Sequence, residues 1–181
     1  MAKGNDRLAR RLSRAESDTV TYSEVGGSRL PTMPSAGYRH VEKRVRVGTG
    51  EDAFQRARVT VFTWGLQRAA GLLVFPADRP PREDLTVLVV TQLGPLRVIA
   101  PCRVLWKVDE PNQAGFGYGT LPGHPASGEE AFLVERDPDG EVSAVVRAFS
   151  RPGTWYSRLG APMTRLMQSR VTDGYLSAFR D

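Results

Sequence analysis

Between Thr86 and Phe149 the chain repeats one pattern, in which apolar and polar residues alternate and each run ends at a turn-forming break. The runs are Thr86–Leu93, Arg97–Asp109, Gly115–Leu121, Glu129–Arg136 and Val142–Phe149. Gly94-Pro95, Glu110–Ala114 and the Pro- and Gly-rich Leu121–Gly128 separate the first four. Side chains of a strand point alternately to its two faces, so period-two alternation predicts strands with one face in a core. Asp137-Pro-Asp-Gly140 is a strong hairpin turn and makes its two flanking strands antiparallel neighbours. In the second run Val98, Ala100, Cys102, Val104, Trp106 and Val108 share one expected face, while Ile99 and Leu105 mix with Arg103, Lys107 and Asp109 on the other.

The flanks supply helices. Gly26–Gly37 reads as a loop, and Tyr38–Val47 alternates as a first strand ending at Gly48. Thr49 followed by Asp52 resembles a capping box, and Ala53, Phe54, Ala57, Val61 and Trp64 keep a helical period, predicting a helix over about 50–69. Gly71–Phe75 is a short strand before the Pro-rich break Pro76–Arg82. At the end, Leu159, Met163, Leu166, Met167, Val171, Tyr175, Ala178 and Phe179 recur at steps of three and four, predicting a long amphipathic helix. Gly174 inside it costs about 1 kcal/mol relative to Ala, which a close approach to another backbone would explain. The expected fold class is α+β: a curved antiparallel sheet wrapped around one long C-terminal helix, because both elements have an apolar face to hide.

The chain has 181 residues, enough for one domain with a tail. Residues 1–20 are expected as a flexible Arg-rich tail, since two leucines, Leu8 and Leu12, do not offset the ordering entropy of a dozen residues. Residues 21–181 form the single domain. The net charge is +5, and of 25 basic residues only Lys3, Lys43 and Lys107 are lysines. Acidic residues are interspersed and no long run of like charge occurs, so the arginine excess reads as composition rather than as a nucleic-acid surface. Cys102 stands alone in an apolar stretch and predicts a buried, unreactive thiol. One cysteine and two histidines, His40 and His124, do not make a zinc site; no metal and no cofactor are expected. No apolar stretch reaches the roughly 20 residues of a membrane helix, and no secretory signal is recognisable, so a cytoplasmic monomer or weak dimer is expected.

Gly115-Phe-Gly-Tyr-Gly-Thr-Leu-Pro-Gly-His-Pro125 carries the most specific information. Gly115, Gly117 and Gly119 fall on one face of the strand, with Phe116, Tyr118 and Thr120 on the other. Three glycines on one face imply that something approaches the backbone closely, either the C-terminal helix or a bound molecule. Beyond them lie His124, Glu129 and Glu130, which with Tyr118 offer groups for acid–base work.

The run Gly115–Arg136 (GFGYGTLPGHPASGEEAFLVER) resembles the signature of an uncharacterised family of bacterial and plant proteins, a domain of unknown function. The likeness extends to TYSEVGGSRLP at Thr21–Pro31, to Gly37–Ala57, to AFSRPGTWYSRLGAP at Ala148–Pro162 and to Gln168 with Tyr175-Leu176, covering roughly 20–178. That family is in turn similar to the START-like, birch-pollen-allergen-like helix-grip superfamily, whose members mostly enclose apolar ligands between sheet and helix. The resemblance implies the helix-grip fold and no established activity.

Three functions follow as expectations. The first is a protein holding a hydrophobic or amphipathic small molecule between sheet and C-terminal helix, lined by Trp106, Phe116, Tyr118, Phe132, Met163 and Met167, with Arg147, Arg151 or Arg165 at the mouth for a carboxylate head. The second is an enzyme of cyclase, hydrolase or isomerase type using Tyr118, His124 and Glu130, or Glu129, as acid–base groups. The third is an adaptor whose Arg-rich N-terminus meets an anionic surface or nucleic acid. No basic residue lies between Ala114 and Glu135, so no specific nucleic-acid groove is expected there.

Overall fold

The computed structural model describes residues 2–35, 37–93, 96–153, 174, 175, 178 and 179. Helix α1 (Ala2–Ala15) leads into a segment with one 3-10 turn at Gly27–Arg29. Strand β1 (Arg39–Thr49) follows, then α2 (Gly50–Phe62), α3 (Gly65–Ala69) and β2 (Leu73–Phe75). Five strands complete the sheet: β3 (Thr86–Leu93), β4 (Leu96–Glu110), β5 (Gln113–Thr120), β6 (Ala126–Arg136) and β7 (Glu141–Pro152). They form a seven-stranded sheet in the order β1-β7-β6-β5-β4-β3-β2, antiparallel throughout. The helices between β1 and β2 carry the chain from one edge to the other.

Each face of this sheet has its own cover. On the inner face α2 and α3 bring Phe54, Val61, Trp64 and Leu66 onto Val87, Val104, Phe116, Phe132, Val134 and Val146. Tyr175 belongs to the same core, with Ala178 and Phe179 packed against it. The C-terminal segment therefore returns to the inner face; the remainder of the expected helix, Met163 and Met167 included, lies outside the described residues. Gly174 sits where a Cβ would stand 2.8 Å from Ala70 Cα, the close backbone approach that a glycine at this position predicts.

The outer face is covered by the N-terminal 33 residues. The expected frayed tail is instead α1: Leu8 and Leu12 are buried against Leu88 and Val90, with Phe75 and Ile99 beside them. Arg103 secures its end, donating from Nη2 to the Ala15 and Glu16 carbonyls (3.0 Å each) and from Nη1 to that of Asp18 (2.8 Å). These carbonyls lie at and just beyond the last turn of the helix, where a cation suits the dipole. Two leucines suffice because the sheet supplies their partners and one arginine satisfies the exit.

Two further expectations change. The helix over 50–69 is two helices, because Trp64 takes a left-handed conformation (φ 60) and turns the chain. Its indole is thereby buried edge-on to Phe116 at 5.1 Å, with Nε1 donating to the Arg79 carbonyl at 2.7 Å. Thr49 is the N-cap of α2 but makes no side-chain capping bond; its hydroxyl instead accepts from Arg46. In β4 the pairing with β5 steps from Val104↔Tyr118 to Trp106↔Gly117, so two residues of β4 face one of β5. Such a bulge exchanges the two faces beyond it. Cys102 and Val104 stay on the inner face, whereas Trp106 and Val108 pack on the outer one with Ala131, Leu133 and Val145.

Candidate functional site

Period two sends Phe116 and Tyr118 of β5, and Glu130 and Phe132 of β6, to the inner face. The register Phe116↔Phe132 and Tyr118↔Glu130 sets them side by side. The rings form a cluster: Phe116–Phe132 tilted at 5.3 Å, with Tyr118–Phe132 at 5.3 Å and Phe132–Tyr175 at 4.9 Å edge-on. Within it Tyr118 Oη donates to Glu130 Oε2 at 3.0 Å, and Tyr175 Oη to the same oxygen at 3.2 Å. Among the described residues no cation faces this carboxyl. Burial pushes its pKa up to about 7, and the two hydroxyls only partly offset the lost water. Burial likewise raises both tyrosines, Tyr175 and Glu130 adding to the effect at Tyr118 and Glu130 at Tyr175. The pair Tyr118–Glu130 can therefore hold or release a proton close to neutral pH.

The other two acid–base candidates are elsewhere. His124, in the turn after β5, accepts the Ala126 N–H at Nδ1 (2.9 Å). Burial lowers its pKa to about 4, so it is neutral at pH 7 and serves its own loop. Glu129 points to the outer face, where it accepts from Tyr22 Oη (2.9 Å), the Gly26 N–H (2.5 Å) and the Ser28 N–H (2.9 Å). It is a clasp for the segment that crosses the sheet. Adjacent carboxylates on a strand must face opposite ways, and here one anchors while the other enters the core.

Trp106 also leaves the expected lining set. Its indole lies over Gly117 on the outer face, where a Cβ on that glycine would overlap the ring, and Nε1 donates to Ser28 Oγ at 3.3 Å. A Cβ on Gly119 would meet the Tyr22 hydroxyl. The close approach implied by the three glycines is thus made by Trp106 and Tyr22, and by the β6 backbone at Gly115, on the face away from the C-terminal segment. Arg147 and Arg151 serve the outer face as well. Arg147 pairs with Glu42 and donates to the Ser28 and Pro31 carbonyls, and Arg151 lies 5.0 Å over the Tyr38 ring. Arg165 lies outside the described residues.

Two buried residues escape a reading by period. Tyr175 counts as one more apolar position of the last helix, although a buried tyrosine needs a partner for its hydroxyl. Gln67, on α3, is fully buried, and neither its Oε1 nor its Nε2 has a hydrogen-bond partner among the described residues. Cys102 is buried as expected, its thiol pushed up by burial. Among the described residues no group of three or more His, Cys, Asp or Glu side chains could hold a metal ion, and no helix is long and apolar enough to cross a membrane.

A seven-stranded antiparallel sheet with helices between its first two strands and a C-terminal segment returning to its inner face makes this an α+β protein. A hypothetical protein of Helicobacter pylori superposes with a TM-score of 0.57 over 90% of this chain and 97% of its own, at 9% identity, a likeness of fold alone. The chain belongs to the domain of unknown function family DUF1990, whose model matches residues 21–178. It is 37% identical to the UPF0548 protein of Deinococcus radiodurans, over 91% of this chain and 87% of that one. With the UPF0548 protein of Arabidopsis thaliana it shares 33% identity over 69% of this chain and 63% of the relative.

Proposed function

We propose that the protein binds one small, mainly apolar molecule carrying a single polar group, against the inner face of the sheet where the C-terminal segment returns. The observation that carries this reading is the Tyr118–Glu130–Tyr175 cluster among aromatic rings. An apolar wall with a few convergent polar groups is the usual make-up of a small-molecule site. Phe116, Tyr118 and Phe132 are the walls; Met163 and Met167 are proposed to complete them. Both tyrosines address Glu130 Oε2, so Oε1 is the atom through which the carboxyl meets the ligand's polar group.

Native mass spectrometry of the full chain purified from its own host tests this. The expected result is a stoichiometric small-molecule adduct, retained in the wild type and lost in Phe132→Ala. A bare mass, together with no enhancement of anilinonaphthalene sulfonate fluorescence, would overturn it. The couple Tyr118–Glu130, with a carboxyl titrating near neutrality, also suits proton transfer. Recovery of two adducts interconverted by the wild type, but not by Glu130→Gln, would make the protein an enzyme that works without His124.

A further inference from the structure

The packing of α1 fixes more than its own position. Its buried residues Leu8, Leu12 and Ala15 set the rotation of the helix. Arg7, Arg10, Arg11 and Arg14, spaced i, i+3, i+4 and i+7, then form one stripe beside the buried face. This stripe lines a cleft of about 400 Å3 whose other walls are Ala15, Asp18, Pro101 and Pro122. Arg11 is held in place, donating from Nη2 to the Ile99 carbonyl at 3.2 Å. A Cβ on Gly123, in the turn after β5, would stand 3.2 Å from the same nitrogen, so the glycine lets the guanidinium close against that turn.

Five arginines elsewhere in the chain are paired with acids. Arg44, Arg46, Arg58, Arg136 and Arg147 each meet a carboxylate, respectively Glu135, Glu141, Asp109, Glu51 and Glu42. Among the described residues no carboxylate pairs with Arg7, Arg10 or Arg14, and Asp18 is the single acidic residue lining the cleft. Like charges at these spacings repel along a helix. An anion that bridges them removes the repulsion, and guanidinium forks match phosphate oxygens in geometry and charge.

We propose that the cleft between α1, Pro101 of β4 and the turn at Pro122 binds a small anion bearing adjacent phosphate groups. A volume of about 400 Å3 lies in the range of small-molecule sites. Adjacent phosphates reach several guanidiniums at once, which a single phosphate does less well. A bilayer is the poorer partner, because interfacial helices insert an apolar face and Leu8 and Leu12 are already buried on β3. Helix α1 precedes the family match at residues 21–178, and the cleft lies on the outer face, so the site stands independently of the inner-face ligand.

Titration calorimetry of the full chain with inorganic triphosphate tests the proposal. The expected result is saturable one-to-one binding that weakens with salt and exceeds that of orthophosphate. Arg7→Gln/Arg14→Gln should weaken it about tenfold or more, whereas Arg39→Gln/Arg56→Gln, with the same loss of net charge, should leave it within about twofold. Triphosphate should raise the melting temperature of the wild type and not that of the α1 variant. Absence of binding, equal weakening in both double variants, or tighter Arg7- and Arg14-dependent binding to duplex DNA or phosphatidylglycerol vesicles would overturn it.

Discussion

Glu130 keeps its proton near neutrality because two tyrosine hydroxyls replace only part of the water that burial removes. Its folded pKa, about 7, lies above its ordinary value of 4.5, so over that interval the folded state binds more protons than the unfolded one. Stability from this group is complete below about 4.5 and is lost as pH rises through about 7. His124 acts in the opposite sense: its pKa falls from 6.5 to about 4, so its contribution is lost as pH falls through that range. Comparing wild type with Glu130→Gln cancels the histidine, which both contain. Urea unfolding should show the wild type losing on the order of 1–2 kcal/mol relative to the variant between the two ends of the Glu130 window, the carboxyl being partly open to water. A constant difference across that range would contradict the assignment. Glu129, one residue earlier, faces the other way and accepts three hydrogen bonds from the N-terminal segment. Glu129→Ala should cost about 3 kcal/mol and expose the backbone between Tyr22 and Leu30 to protease, since its three donors lose their buried acceptor. Unchanged protection there would remove its role as a clasp.

At the scale of elements, the decisive feature is the bulge in β4. It lets one strand supply Cys102 and Val104 to the inner core and Trp106 to the outer one. The indole then needs a flat surface, which Gly117 of the neighbouring strand provides. A glycine costs a strand entropy and packing, and here the neighbouring ring restores the packing. Gly117→Ala should destabilise by about 2–3 kcal/mol, because the methyl group overlaps a ring that is itself pinned. In a Trp106→Leu background the same substitution should cost less, and the coupling is read from a double-mutant cycle in urea. Equal costs in both backgrounds would mean that the ring is not what the glycine accommodates. The same reasoning governs α1, whose two leucines gain by meeting Leu88 and Val90, a surface assembled only after β3 and β4 pair.

For the whole molecule, the parts governed by local chemistry are readable from residues alone. Strands β3 to β7 follow the alternation, the β6–β7 hairpin follows Asp137–Gly140, and Gly174 announces its contact with Ala70. Period two also puts Phe116 and Tyr118 on one face of their strand; that this face is the inner one, with Glu130 opposite Tyr118, comes from the register of β5 with β6. The signature from Gly115 to Arg136 marks the family, yet its residues divide between two faces with different tasks. What sequence periodicity conveys is which residues of one element share a side. It does not convey where a ladder slips by one residue, as at Leu105, nor which distant segment covers the second face of a sheet. Those depend on contacts between residues far apart in the chain: Trp106 with Gly117 and Ser28, Glu129 with Tyr22, Arg103 with the end of α1. The sequence by itself determined an antiparallel sheet with helical cover. Only the tertiary structure decided that Trp106 and the glycine face belong to the outside, that His124 and Glu129 stand apart from Glu130, and that four arginines of α1 share one cleft.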